Sequence, residues 1–93
     1  MTRDKLNNIL DELTIDDVGE FKENKYIITL NDSEEYAYYY SILDHNDELY
    51  LVDSSSVSTE YINVCTYEGS DYKVSLNADF NKNYYNITIE DLK

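Results

Sequence analysis

Apolar positions follow a helical period over the first thirteen residues and a period of two from residue 26 onward. Leu6, Ile9, Leu10 and Leu13 stand at i, i+3, i+4 and i+7, the stripe of an amphipathic helix. Thr2 suits its N-cap and Asp4 its first turn. The pattern predicts a helix over 3–13. Ile15, Val18 and Phe21 read as a second short helical turn, broken by Gly19 and the polar 22–25 stretch.

Beyond this point the pattern reads as strands divided by turn residues. Residues 26–30 give a first strand, and 31–35 (Asn-Asp-Ser-Glu-Glu) a turn. Residues 36–43 read as a strand with Tyr36, Tyr38 and Tyr40 on one face and Tyr39 on the other. The turn at 44–47 leads to a strand over 48–53, a polar connection over 54–59 and a strand over 61–67. After a turn at 68–71, residues 72–80 alternate most cleanly: Tyr72, Val74, Leu76, Ala78 and Phe80 face one way. A turn at 81–83 leads into 84–89, with Tyr85, Ile87 and Ile89 toward the core. Short connections favour antiparallel neighbours. The expected fold is therefore α+β, with the N-terminal helix packed on a twisted antiparallel sheet of five or six strands. At 93 residues, with no linker or repeat, one domain over 1–93 is expected.

Little in the chain suggests chemistry. Cys65 is the only cysteine, which rules out an internal disulfide, and its strand setting reads as a small half-buried hydrophobe. His45 is the only histidine. It could be grouped with Ser54, Ser55 or Ser56 and an aspartate, but no glycine-framed nucleophile turn accompanies them. Asp44, Asn46 and Glu48 have the first spacings of a calcium loop, yet Leu49 stands where that loop needs Gly and Ser55 where it needs Glu. With two glycines there is no phosphate-cradling loop. The expectation is a binding protein rather than an enzyme, without cofactor or metal. No apolar run approaches a membrane span and no apolar leader follows Met1, so a cytoplasmic location is expected.

Charge changes the picture most. Twenty Asp and Glu oppose seven Lys and Arg, a formal net charge of −13. No Lys or Arg lies between Tyr26 and Tyr72, whereas Asp32, Glu34, Glu35, Asp44, Asp47, Glu48, Asp53, Glu60, Glu68 and Asp71 all do. Folding does not ask for this, because like charges without counter-charges repel in a compact state. Direct nucleic-acid binding is opposed by the same charge. A basic protein partner would be attracted, with the carboxylates raising the association rate and an aromatic centre adding affinity. Eleven tyrosines supply candidates for that centre, Tyr38 and Tyr39 among them. Alternate strand residues lie roughly 6.6 Å apart, so carboxylates along strand ends and turns could approximate a phosphate track.

In size, charge, helix-plus-sheet pattern and the cation-free 26–72 stretch, the chain resembles the small acidic inhibitors that phages direct against host nucleases. These include the anti-CRISPR proteins and other DNA mimics. The resemblance implies a basic nucleic-acid-binding partner, a nuclease or CRISPR effector in a bacterial host, whose DNA-binding channel is blocked. The same physics fits an immunity protein neutralising a basic toxin nuclease. An adaptor module with an incidental acidic surface is the remaining alternative.

Overall fold

The computed structural model describes residues 1–57, 62–69 and 71–92. Helix α1 (Arg3–Glu12) is followed by strands β1 (Glu20–Lys22) and β2 (Lys25–Leu30), helix α2 (Ser33–Asp44), and strands β3 (Tyr50–Val57), β4 (Ile62–Glu68), β5 (Tyr72–Asp79) and β6 (Tyr84–Asp91). The strands form one antiparallel sheet in the order β1-β2-β6-β5-β4-β3. This is the expected α+β architecture with a second helix added. No helix among the described residues is long and apolar enough to cross a membrane.

Both helices pack on one face of the sheet. Leu6, Ile9 and Leu13 from α1 and Tyr36, Tyr39 and Leu43 from α2 join Ile28, Val74, Leu76, Ile87 and Ile89 in a single core. Burial alternates along β5 as expected, with Tyr72, Val74, Leu76 and Ala78 inside. Among the described residues, the opposite face carries no helix. Its centre is polar and nearly uncharged: the Thr66 and Ser75 hydroxyls lie 3.1 Å apart, and Asn77 Nδ2 donates to Asn86 Oδ1 at 2.7 Å.

The 31–43 segment departs from the expected turn and strand. Asp32 caps α2, its carboxylate accepting from Glu35 N at 2.9 Å, while Glu35 Oε1 accepts from Asn31 N at 3.0 Å. The Asp32 carboxylate satisfies an amide donor that a helix start leaves unpaired, and Glu35 reaches back to the amide just before the cap. This capping competes successfully with the strand preference of the four tyrosines. Tyr36, Tyr39 and Leu43 then share the buried stripe, while Tyr38 and Tyr40 face solvent. Tyr36 meets Tyr85 and Phe80 at ring-centroid distances of 5.6 and 5.8 Å, which fastens α2 to the sheet.

Strands β2 and β3 run in the same direction at nearly opposite edges, so the chain must return along the sheet and cross it. Helix α2 makes that diagonal, packing over β2, β6 and β5. Two further expectations are corrected. Residues 15–21 form no helical turn: Phe21 belongs to β1, stacked edge-to-face on Tyr26 at 5.1 Å. The polar 54–57 stretch continues β3 rather than leaving the sheet, because the β4 backbone is there to pair with it. Residues 58–59 of the expected connection, Glu60, Tyr61 of the expected 61–67 strand and Ser70 of the expected turn lie outside the described residues.

Candidate functional site

The fold places six of the ten acidic residues of the 26–72 stretch at the two ends of α2. Asp32, Glu34 and Glu35 occupy its N-terminus, and Asp44, Asp47 and Glu48 lie at or beyond its C-terminus. Twelve helical residues span about 18 Å, so these are separate clusters. Carboxylates at a helix N-terminus cap free amides and meet the positive pole of the dipole, which gives the first group a folding role. Glu60 lies outside the described residues.

The C-terminal group has no comparable folding role. Helix α2 ends in Asp44 and α1 in Glu12, and neither has a basic residue in its last turn. Both helices thus put a carboxylate at the negative pole of their own dipole, the unfavourable sense. Between α2 and β3, the Asn46 side chain accepts from Glu48 N at 2.9 Å and buried Leu49 donates to Asn46 O at 3.1 Å. This turn pins the loop and leaves Asp47 and Glu48 exposed.

These carboxylates meet two tyrosines of the β4–β5 hairpin. Tyr67 Oη donates to Asp44 Oδ1 at 3.3 Å, and Tyr72 Oη to Glu12 Oε2 at 3.4 Å. A cleft of about 420 Å³ opens beside Tyr72, lined by Lys5, Asn8, Ile9, Glu12, Glu48, Gly69 and Asp71 as well. Gly69 N donates to Tyr72 O at 2.9 Å, and a Cβ on Gly69 would lie 2.9 Å from the Tyr72 ring, so a glycine lets the ring lie against the turn. Burial first, and then the Glu12, Asp71 and Glu48 carboxylates, push the Tyr72 phenol up to about 12. Burial followed by Asp44 raises Tyr67 as well.

Counter-charge is scarce here. Lys5 is the one cation among the described residues lining the cleft. It bonds Asp91 and lies 3.6 Å from Asp71, and the hydrogen bond to Asp91 chiefly raises its pKa. Lys73 pairs with Glu90 at 3.3 Å and stands opposite Glu68 in the sheet. Among the described residues, Asp71 is the one member of the 26–72 group in an ion pair. The cleft is suited to an ammonium or guanidinium group and unsuited to an anion.

Other expected positions fall differently. Asp53 is exposed on β3, opposite Thr66, and the half-exposed Glu68 ends β4 opposite Tyr50. A strand-borne track at 6.6 Å spacing is therefore not how the carboxylates are arranged; helix ends and loops hold most of them. Tyr38 is 54% exposed, but Tyr39 is 4% exposed, with its hydroxyl donating to Asp17 Oδ2 at 3.1 Å. Tyr39 is a core residue rather than a surface anchor, because helical spacing turns it inward. Glu12 lies outside the 26–72 stretch, and no count along the sequence shows that α1 ends beside Glu48. His45 caps α2, its Nδ1 lying 2.8 Å from Ser41 O, while Ser54 Oγ sits 3.8 Å from Cys65 Sγ. Among the described residues, no group of three or more His, Cys, Asp and Glu is placed to hold a metal ion. No family model matches the chain, and no curated protein or solved structure matches it.

Proposed function

We propose that this chain is a non-catalytic protein inhibitor that docks its acidic end onto the nucleic-acid-binding channel of a basic protein. A nuclease or CRISPR effector in the cytoplasm of a bacterial host is the leading target class. The supporting observation is the cleft in which Glu12, Glu48 and Asp71 surround Tyr72, with Asp44 on Tyr67 of the same hairpin and carboxylates at the wrong pole of both helices. A chain selected for folding alone gains by placing Lys or Arg there. A basic groove offers the missing counter-charge and releases that repulsion on binding. Mimicry of DNA is then local, a dense cluster of negative charge competing for lysines and arginines that otherwise hold phosphates.

The test is competition. The purified chain is immobilised, host proteins are captured from extract, and each captured protein is challenged with duplex DNA over a salt series. Capture of a DNA-binding protein, displaced by DNA and weakened steeply between about 0.05 M and about 0.5 M salt, is expected. Partners indifferent to both DNA and salt would instead favour the adaptor reading.

A further inference from the structure

The two edges of the sheet are built differently. Strand β1 has three residues, and its hairpin carries Lys22 and Lys25. Short length and lysines are usual guards against unwanted strand pairing. Strand β3 has eight residues and contains no Lys, Arg or Pro. At its start Tyr50, Leu51 and Val52 are 72%, 53% and 51% exposed, the longest run of exposed large apolar residues in the described chain. The register against β4 slips between Leu51 and Asp53, leaving Val52 as the bulge residue. Bulges also guard edges, but a guarding bulge has no need of an exposed valine.

Charge names the occupant. Asp47 and Glu48 precede the apolar triplet and Asp53 follows it, all exposed, and Glu68 stands beside Tyr50 across the ladder. A second copy is a poor match: pairing Leu51 on Leu51 antiparallel sets each Asp53 opposite Leu49 and next to Glu48 of the other chain. An extended segment alternating Lys or Arg with apolar residues meets both features. Its backbone continues the ladder, its apolar side chains cover Leu51 on the face of Tyr67, and its cations on the other face reach Asp53 and Glu68 beside Tyr50.

We infer that the β3 edge at residues 50–53 is a docking site for a basic extended strand of a partner protein, which lengthens the sheet by one strand. This rests on the partner being basic, as proposed above, but not on its binding nucleic acid.

The probe is a synthetic peptide of alternating Lys and Val, compared with the same peptide N-methylated along both edges. Methylation keeps every charge and removes the strand's hydrogen-bond donors. Binding is read by fluorescence anisotropy at about 0.15 M salt, together with amide exchange at residues 50–53. Weakening by roughly tenfold or more on methylation, with slowed exchange of the outward amides of 50–53, is the expected result. Val52→Lys, at an exposed position, should weaken the unmethylated peptide to a similar degree. Equal binding of the two peptides, or no binding by either, would overturn the inference whether or not the variant folds. So would a dimer of this chain that Val52→Lys dissociates. Displacement of a captured partner by DNA tests the inhibitor reading separately and can succeed when this edge fails.

Discussion

Neutralising the two helix-terminal carboxylates should make the protein more stable. The double variant Glu12→Gln, Asp44→Asn keeps the size of both side chains and leaves an oxygen to accept from Tyr72 and Tyr67. An anion at the negative pole of a helix is unfavourable by about 0.3–1 kcal/mol at low salt, so removing both relieves about 0.6–2 kcal/mol. Against this stands the loss of charge assistance in two hydrogen bonds, which at 3.3 and 3.4 Å are already long. A penalty of a few tenths of a kcal/mol each is the right order. The net gain is about 1 kcal/mol, which raises Tm by about 4–8 °C in a chain of this size. Scanning calorimetry at about 0.02 M and about 0.5 M salt reads this directly, since the gain should shrink as screening increases. The same variant should associate more slowly with its basic partner. A Tm that stays level or falls at low salt would show that these carboxylates cost the fold nothing, and the main support for a charged docking end would be gone.

The alkaline limb of stability should follow the tyrosines. Burial raises the phenols of Tyr36, Tyr39, Tyr67 and Tyr72 in the folded state, two of them to about 12. Above the ordinary value of 10.0 the unfolded chain therefore releases protons that the folded chain keeps, so stability falls as pH rises through that range. Tyrosinate absorbance, followed in Phe variants of these four, should show each of them ionising above the ordinary value of 10.0; ionisation of the four at or below that value would contradict it. Gly19→Ala should destabilise by about 1–3 kcal/mol, because its Cβ would fall 2.2 Å from the Ile27 carbonyl oxygen; urea unfolding with an unchanged midpoint would refute this. Charge reversal should separate the two acidic clusters. Asp47→Lys with Glu48→Lys should slow partner association with little change in stability, whereas Glu34→Lys with Glu35→Lys should lower Tm by disturbing the start of α2. Stopped-flow association and thermal melts on both pairs decide it.

How far the fold can be read from sequence depends on which signal dominates each segment. The Leu6, Ile9, Leu10, Leu13 stripe and the alternation from Tyr72 to Ala78 are unopposed, and both elements form where expected. At 33–44 two signals conflict. Four tyrosines favour a strand, while Asp32 and Glu35 at capping spacing, with Tyr36, Tyr39 and Leu43 at helical spacing, favour a helix. The second set acts cooperatively and prevails once β5 and β6 offer a surface to cover. Strand β1 escapes notice because three exposed residues have no periodicity to display. The charge imbalance is visible in the sequence, but its focus is not. Only the placement of α1 and α2 shows that Glu12 joins Glu48 and Asp71, or that Glu34 and Glu35 belong to the start of a helix.

Strand β6, last in the chain, lies inside the sheet between β2 and β5. A ribosome must therefore release the chain to Asp91 before residues 20–30 find their neighbour. Until then the nascent chain consists of an N-terminal helix with a hairpin and a meander without its final strand, bridged by α2 alone. Loss of the whole of β6 to a premature stop would leave β2 and β5 without the strand that joins them, so the complete sheet reports that translation has passed Tyr84.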